Sequence, residues 1–357
     1  MFRLLVLICA VNCSTYLAYS QARYSYRDVS SVRSQYQQKD VRISNAVKIV
    51  DFLPKGYVKS GTVDYTPHVQ RALEKGGHIL FPNFPILIND NGIKVVSNSN
   101  IFFSKGGKLI LKASAKGTYR FIKVHNANNV TITNAVLVGD RKTHIGKGGE
   151  WGIGIDIRNS KDITIERAII TDFWGDGVCI GAGIPNERVL IKDTFIDNCR
   201  RNGITIGSLI DSRLSNIVVS NTHGAAPMAG IDIEPNNDKD VINNIVIDNY
   251  RSYNNKSRGL LIDLRNFRGA KARRLNIAVS NYSDDGSLYG LSMPLLGKHA
   301  NAVTGEVKLE NLKFTNNKNA AVQPYDVSAN SLSVKFVNHN VNAAQLKNVL
   351  NRIIDKK

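Results

Sequence analysis

Gly154-Ile-Asp-Ile157, Gly177-Val-Cys-Ile180, Gly203-Ile-Thr-Ile206, Gly230-Ile-Asp-Ile233 and Gly259-Leu-Leu-Ile262 are five versions of one short phrase. The glycines are 23, 26, 27 and 29 residues apart, and a looser sixth copy starts at Gly290. Self-similarity at such a period is the signature of a solenoid, in which each repeat buries its apolar side against the next. Within a phrase, apolar residues alternate with others, which is strand periodicity with one buried face. Further β-branched segments lie between the phrases, including Asp162-Ile-Thr-Ile165, Arg188-Val-Leu-Ile191 and Asn216-Ile-Val-Val219. Their ends carry Asn, Asp, Ser and Gly, which tolerate tight corners and left-handed backbone. Two or three short strands per turn, stacked at about 4.8 Å, describe an all-β, right-handed parallel β-helix.

Working outward, residues 49–342 are expected to form this single β-helix domain. Thr66 can cap a helix whose first position is Pro67, with Val69, Ala72 and Leu73 on one face, and Gly76-Gly77 ends it. Such a helix can cover the open end of a solenoid core. At the other end, residues 343–357 place Leu346, Val349, Leu350, Ile353 and Ile354 on one helical face, suiting a C-terminal cap. Residues 21–48 are polar and without a period, as expected of a linker or a strand draped on the solenoid. Met1 to Ser20 read as a secretory signal: Arg3, the apolar run Leu4 to Val11, then Ala18-Tyr-Ser20 before cleavage. The expected destination is secreted or periplasmic. That run is too short for a permanent membrane anchor, and nothing later reaches about 18 apolar residues.

The 357-residue chain holds 47 Lys and Arg against 29 Asp and Glu, a formal net charge of +18. For an exported protein this excess favours a polyanionic partner, and an acidic polysaccharide fits. Nucleic acid is not expected, because the basic residues are dispersed and no reader motif is present. Only Cys179 and Cys199 remain after the signal, which is no disulfide framework. The loop Gly139 to Trp151 is glycine-rich, but it lacks the terminal Lys-Ser/Thr and following helix of a phosphate loop.

Asp64-Tyr-Thr-Pro-His-Val-Gln-Arg-Ala-Leu-Glu-Lys-Gly-Gly-His-Ile-Leu-Phe-Pro82 resembles the opening segment of the pectate-lyase-like β-helix superfamily. The later rungs are similar to its polygalacturonase branch, which hydrolyses acidic polysaccharides. Gly175-Asp-Gly-Val-Cys-Ile180 lies where that branch has paired aspartates, and Asn202-Gly-Ile-Thr-Ile-Gly-Ser208 where it has a His-Gly segment. Asp176 keeps the second aspartate, whereas Gly175 replaces the first and Asn202 the histidine. Asp232-Ile-Glu234 stands in place of an Arg-x-Lys substrate clamp. The resemblance thus implies the fold and a rebuilt carbohydrate site.

Alternation puts Asp156, Cys179, Thr205, Asp232 and Leu261 in one outward row, followed by Arg158, Gly181, Gly207, Glu234 and Asp263. Asp176, Asp232, Glu234 and Asp263 are the candidate catalytic acids. Glu234 and Asp263 occupy matching places on adjacent rungs, so their carboxylates are expected about 5 Å apart. Mutual repulsion in such a pair raises one pKa, which suits general acid and base work. A structural ladder of charges neutralised by Arg158, Arg200, Arg201 and Arg258 is the plainer alternative. Trp151, Trp174, Arg200, Arg201, Asn202, His223, Arg258 and His144 are the candidate substrate-binding residues on the surrounding rim. No cofactor is required by this chemistry, although the acids also suit Ca²⁺ as oxygen ligands. The leading expectation is a glycoside hydrolase. The alternatives are a lyase or epimerase using Arg200, Arg201, Arg258, His144 or Tyr289, and a non-catalytic carbohydrate-binding or adhesive solenoid.

Overall fold

A computed structural model describes residues 24–267, 272–294, 303–323 and 332–347. The chain winds into a parallel β-solenoid of about nine turns, a right-handed β-helix. The Gly phrases all fall in one sheet of nine strands: Ile93–Lys94, Thr118–His125, Trp151–Arg158, Val178–Ile180, Ile204–Ile206, Ala229–Ile233, Arg258–Ile262, Tyr289–Ser292 and Ala320–Gln323. Their register is the one the repeat predicts, Ile155–Val178–Ile204–Ile231–Leu260, continued by Leu291 and Val322. The first five of these side chains are completely buried.

The glycines that open the phrases have a steric cause. A Cβ on Gly203 would overlap Val219 and the Gly230 carbonyl, and one on Gly230 would overlap the Tyr250 hydroxyl and the Gly259 carbonyl. Each turn brings the opposite wall and the next rung too close for any side chain.

That opposite wall belongs to a second sheet, of fifteen strands. In early turns it is made of two short strands, such as Lys161–Glu166 and Ile169–Thr171. From Asn186–Asp197 onward the two fuse into one long bent strand, repeated in Leu209–Ser220, Ile242–Tyr253, Arg273–Asp285 and Val303–Thr315. The bend is kept by Asp193, Asn216, Asn249, Asn281 and Asn311, all with φ between 50° and 54°. Asn and Asp tolerate this left-handed geometry because their short polar chains bond locally. Here they also bond along the axis: Asn216 donates to Asp193 (2.7 Å), Asn249 to Asn216 (3.1 Å) and Asn311 to Asn281 (3.0 Å).

The helix Thr66–Leu73 buries Val69, Ala72 and Leu73 in the core end. Thr66 is its first residue rather than its cap; the Asp64 carboxylate accepts the Thr66 N–H (3.0 Å). At the far end, residues 343–347 form a helical turn with Leu346 against the core. The signal read at residues 1–20, and Val349, Leu350, Ile353 and Ile354 of the expected cap, lie outside the described residues. Between them, the segment from Tyr24 lies along the side of the second sheet. Tyr24 Oη donates to the Asn254 carbonyl (2.7 Å), Asn221 accepts from the Arg27 N–H (3.0 Å), and Gln38 Nε2 donates to the Asn134 carbonyl (2.8 Å). Val29 and Tyr36 pack on Ile169, Phe195 and Val218.

Candidate functional site

The outward row of the nine-stranded sheet is Lys94–Lys123–Asp156–Cys179–Thr205–Asp232–Leu261. Over its middle lies a cleft of about 400 Å³, lined by Arg120, Trp151, Arg158, Arg201, Thr205 and Glu234 among others. Trp151 is 40% exposed at the rim, with the Arg201 guanidinium 5.0 Å from its ring centre.

Beneath the cleft is a hydrogen-bonded knot. Arg201 Nη1 donates to Asp176 Oδ2 (3.0 Å), Thr205 Oγ1 donates to the same oxygen (2.9 Å), and the Asn202 N–H donates to Asp176 Oδ1 (3.1 Å). Asn202 Nδ2 donates to Thr205 Oγ1 and to Asp232 Oδ2, both at 2.9 Å. Asp232 Oδ1 has no partner among the described residues. Both aspartates are fully buried. Burial raises the Asp176 carboxyl against the pull of Arg201. It raises Asp232 well above its ordinary value, with the Glu234 charge adding to the effect. Glu234, two residues on, is half-buried and opens to the cleft. Its carboxylate has no hydrogen bond or ion pair among the described residues.

A second hub sits toward the N-terminal turns. Asp156 Oδ2 accepts from His125 Nε2 (2.7 Å), Arg158 Nε (2.8 Å) and Arg120 Nε (3.0 Å). Burial would raise this carboxyl, but the bonds from His125 and Arg158, with the charges of Arg158 and Arg120, bring it below its ordinary value. Arg120 and His125 went unread in the sequence because their strand lacks the Gly phrase. Only alignment with Trp151–Arg158 brings them to the site.

Several expectations need correction. Asp176, Asp232 and Asp263 face outward from the sheet yet are not open to solvent, because longer side chains roof them. Asp263 does not pair with Glu234 in the cleft; it is clamped by Arg265, which donates to both of its oxygens (2.9 and 3.2 Å from Nε). Trp174 is no platform in the cleft: His144 stacks on it at 3.9 Å, Arg200 lies 4.2 Å from its ring centre, and its Nε1 donates to the Gly148 carbonyl (3.1 Å). This stack, with His144 Nδ1 2.7 Å from Asp140 Oδ2, pins the 139–151 loop, so Trp174, Arg200 and His144 act together outside the cleft lining. His223 stacks on Tyr24 at 3.9 Å, and burial lowers it to about 4. Arg258 reaches along later turns to Ser292 and Gln323, beyond the cleft lining. Asn202 is a fully buried brace rather than a sugar contact. Cys179 and Cys199 are both free and buried. Among the described residues, no three His, Cys, Asp or Glu side chains are grouped to hold a metal ion. No described helix is long and apolar enough to cross a membrane.

No family model matches the chain. It is 26% identical over 220 residues to the uncharacterized protein YclG of Bacillus subtilis, a stretch covering 52% of this chain and 38% of YclG. The match therefore spans well under half of that relative. In structure the chain is similar to the iota-carrageenase of A. fortis, with a TM-score of 0.57 and 15% identity over 76% of this chain and 62% of that one. It is also similar to the A-module of the mannuronan C-5 epimerase AlgE6 of Azotobacter vinelandii, with a TM-score of 0.53 and 14% identity over 83% and 99%. At these identities the likeness is one of fold: a parallel β-helix of the kind found in polysaccharide-acting proteins.

Proposed function

We propose that this chain is a polysaccharide-active enzyme, a glycoside hydrolase that cleaves an acidic, uronate-containing chain beside Asp232 and Glu234. One observation carries the reading: a buried carboxyl with a raised pKa lies two residues from an open, unpartnered carboxylate, where the chain leaves the strand Ala229–Ile233 and the Glu234 N–H still bonds the Ile206 carbonyl. In extended chain the backbones of residues i and i+2 are about 6.6–6.8 Å apart, a spacing from which two carboxyl groups can reach the separation of a glycosidase pair. Asp232 keeps its proton and, once a bound chain displaces the side chains that roof it, gives it to the leaving glycosidic oxygen, while Glu234 takes a proton from the attacking water. Arg201, Arg158 and Arg120 supply the positive field for a uronate, and Trp151 offers a face for a sugar ring. The similarity to a carrageenase and a mannuronan epimerase supports a polysaccharide as substrate. Export by the leader at residues 1–20 belongs to the same proposal.

A second reading, elimination or C5 epimerisation of a uronate, draws on His125, held by Asp156 among Arg120 and Arg158. Incubation with polygalacturonate, alginate and other polyuronates separates the two. Hydrolysis gives new reducing ends without unsaturated-uronate absorbance; elimination gives both, and epimerisation neither. For hydrolysis, Asp232→Asn and Glu234→Gln should each lower turnover by about 10²–10⁴ with unchanged melting. Because Asp232 must stay protonated, activity should fall as pH rises through its raised pKa. Full activity in either stably folded variant would remove that residue from the mechanism.

A further inference from the structure

The cleft is polarised along the solenoid axis. Glu234 opens to it at one end with Asp232 buried beneath, whereas the N-terminal turns carry Arg158, Arg120, His125, Lys123 and Lys94. In the outward row of these turns Asp156 is the one carboxylate, and three cationic or basic groups already share its Oδ2; Asp90, beside the Asn91 that Lys123 bonds, is taken by Lys116 (2.7 Å). Lys94 and Lys123 lie side by side on adjacent rungs, about 4.8 Å apart at the backbone. Lys94 is exposed and Lys123 half-buried, and neither has a carboxylate partner among the described residues. Lys123 Nζ donates only to the Asn91 carbonyl (2.9 Å). Like charges stacked across a strand pair cost stability; Lys161 and Lys192, by contrast, are offset by Glu187 and Glu166.

We propose that the stripe Lys94–Lys123–His125/Arg158 is an anchoring track for the anionic groups of a linear acidic glycan that runs along the axis into the cleft. From Lys94 to Asp232 there are five rung steps, about 24 Å, enough for several sugars. The inference rests on the proposed glycan site but concerns one side of it. The turns beyond Asp232 present Leu261, Ser292 and Gln323 in the same row, so no matching track of stacked lysines continues there. Acidic sugars are therefore gripped on the N-terminal side of the cleaved bond, and a chain must extend that way to bind well.

The test compares Lys94→Gln/Lys123→Gln with Lys55→Gln/Lys313→Gln, which removes the same charge from exposed lysines outside this row. Retardation is measured in native gels holding polygalacturonate, alginate, dextran sulfate or neutral dextran. The track double variant should bind at least one of the polyanions about tenfold more weakly, with a shallower salt dependence, while the control pair binds like the parent protein. Equal weakening in both variants, no weakening in either, or no retardation of the parent by any polyanion overturns the track. Because the readout is binding, a track confirmed in a protein that cleaves none of these glycans would sink the hydrolase reading and leave this one standing. Cleavage that persists with unaltered affinity in the Lys94/Lys123 variant would do the reverse.

Discussion

Replacing Arg201 by methionine tests the knot beneath the cleft. The Arg201 side chain is 9% exposed and the Asp176 side chain 0%. Its Nη1 lies 3.0 Å from Asp176 Oδ2 and 3.4 Å from Oδ1. Without it, Asp176 keeps only the Thr205 hydroxyl and the Asn202 N–H, and the methionine stem fills the space in which water could replace the guanidinium. Removing one partner of a buried ion pair costs about 3–5 kcal/mol, more than the pair itself is worth, because the remaining charge stays desolvated. The alternative for Asp176 is to bind a proton. Its folded pKa, already raised by burial, then rises further, so the added deficit is absent below the unfolded value near 3.8 and grows as pH climbs toward the folded one. Adding Asp176→Asn to the Arg201→Met variant removes the charge and should restore most of the loss, a coupling of several kcal/mol between the two positions. The assay is guanidinium denaturation at pH 4.5 and 7.5, followed by far-ultraviolet circular dichroism and tryptophan fluorescence together, since solenoids can unfold in parts. Arg201→Met within about 1 kcal/mol of the parent at pH 7.5, or an equal deficit at both pH values, would refute the reasoning.

Two more outcomes follow from buried groups. Gly230→Ala should cost about 1–3 kcal/mol or more, because its methyl overlaps the Tyr250 hydroxyl; Tyr250→Phe should relieve part of that loss, and additive melting losses would count against the clash. Asp284 is fully buried beside Ser252, Ser287 and Asn317, and burial raises it from 3.8 to about 6. A raised acid favours the folded state at low pH, so stability should decline by up to about 3 kcal/mol as pH rises from 4 to 6. Asp284→Asn should flatten that slope in denaturation curves, and an unchanged slope would assign the pH dependence elsewhere.

The solenoid, its register and its inward stack were legible in the order of the amino acids. Gly154, Gly177, Gly203, Gly230 and Gly259 recur at nearly one turn of chain, and period two fixes which residues are buried. Both signals are local, so no distant contact had to be known. Local alternation also placed Asp156, Asp232 and Glu234 on one outward face. It could not tell outward from exposed. Asp232 lies under Asn202 and Arg201, and Asp263 under Arg265, because long side chains from neighbouring rungs fold over short ones. Accessibility on a ladder depends on rotamers and loop packing, which no period encodes. Trp174, His144 and Arg200 looked like a sugar platform because loop residues at strand ends share a rim. Which rim residues turn inward to pin a loop is decided by contacts more than 25 residues apart, such as Trp174 with Gly148 and Arg200 with Gly149. The pair we propose is Asp232 with Glu234 rather than Glu234 with Asp263, because Arg265 clamps Asp263. Spacing along a strand sets which acids can meet, and tertiary packing sets which of them is buried, which opens to the cleft and which is clamped by an arginine.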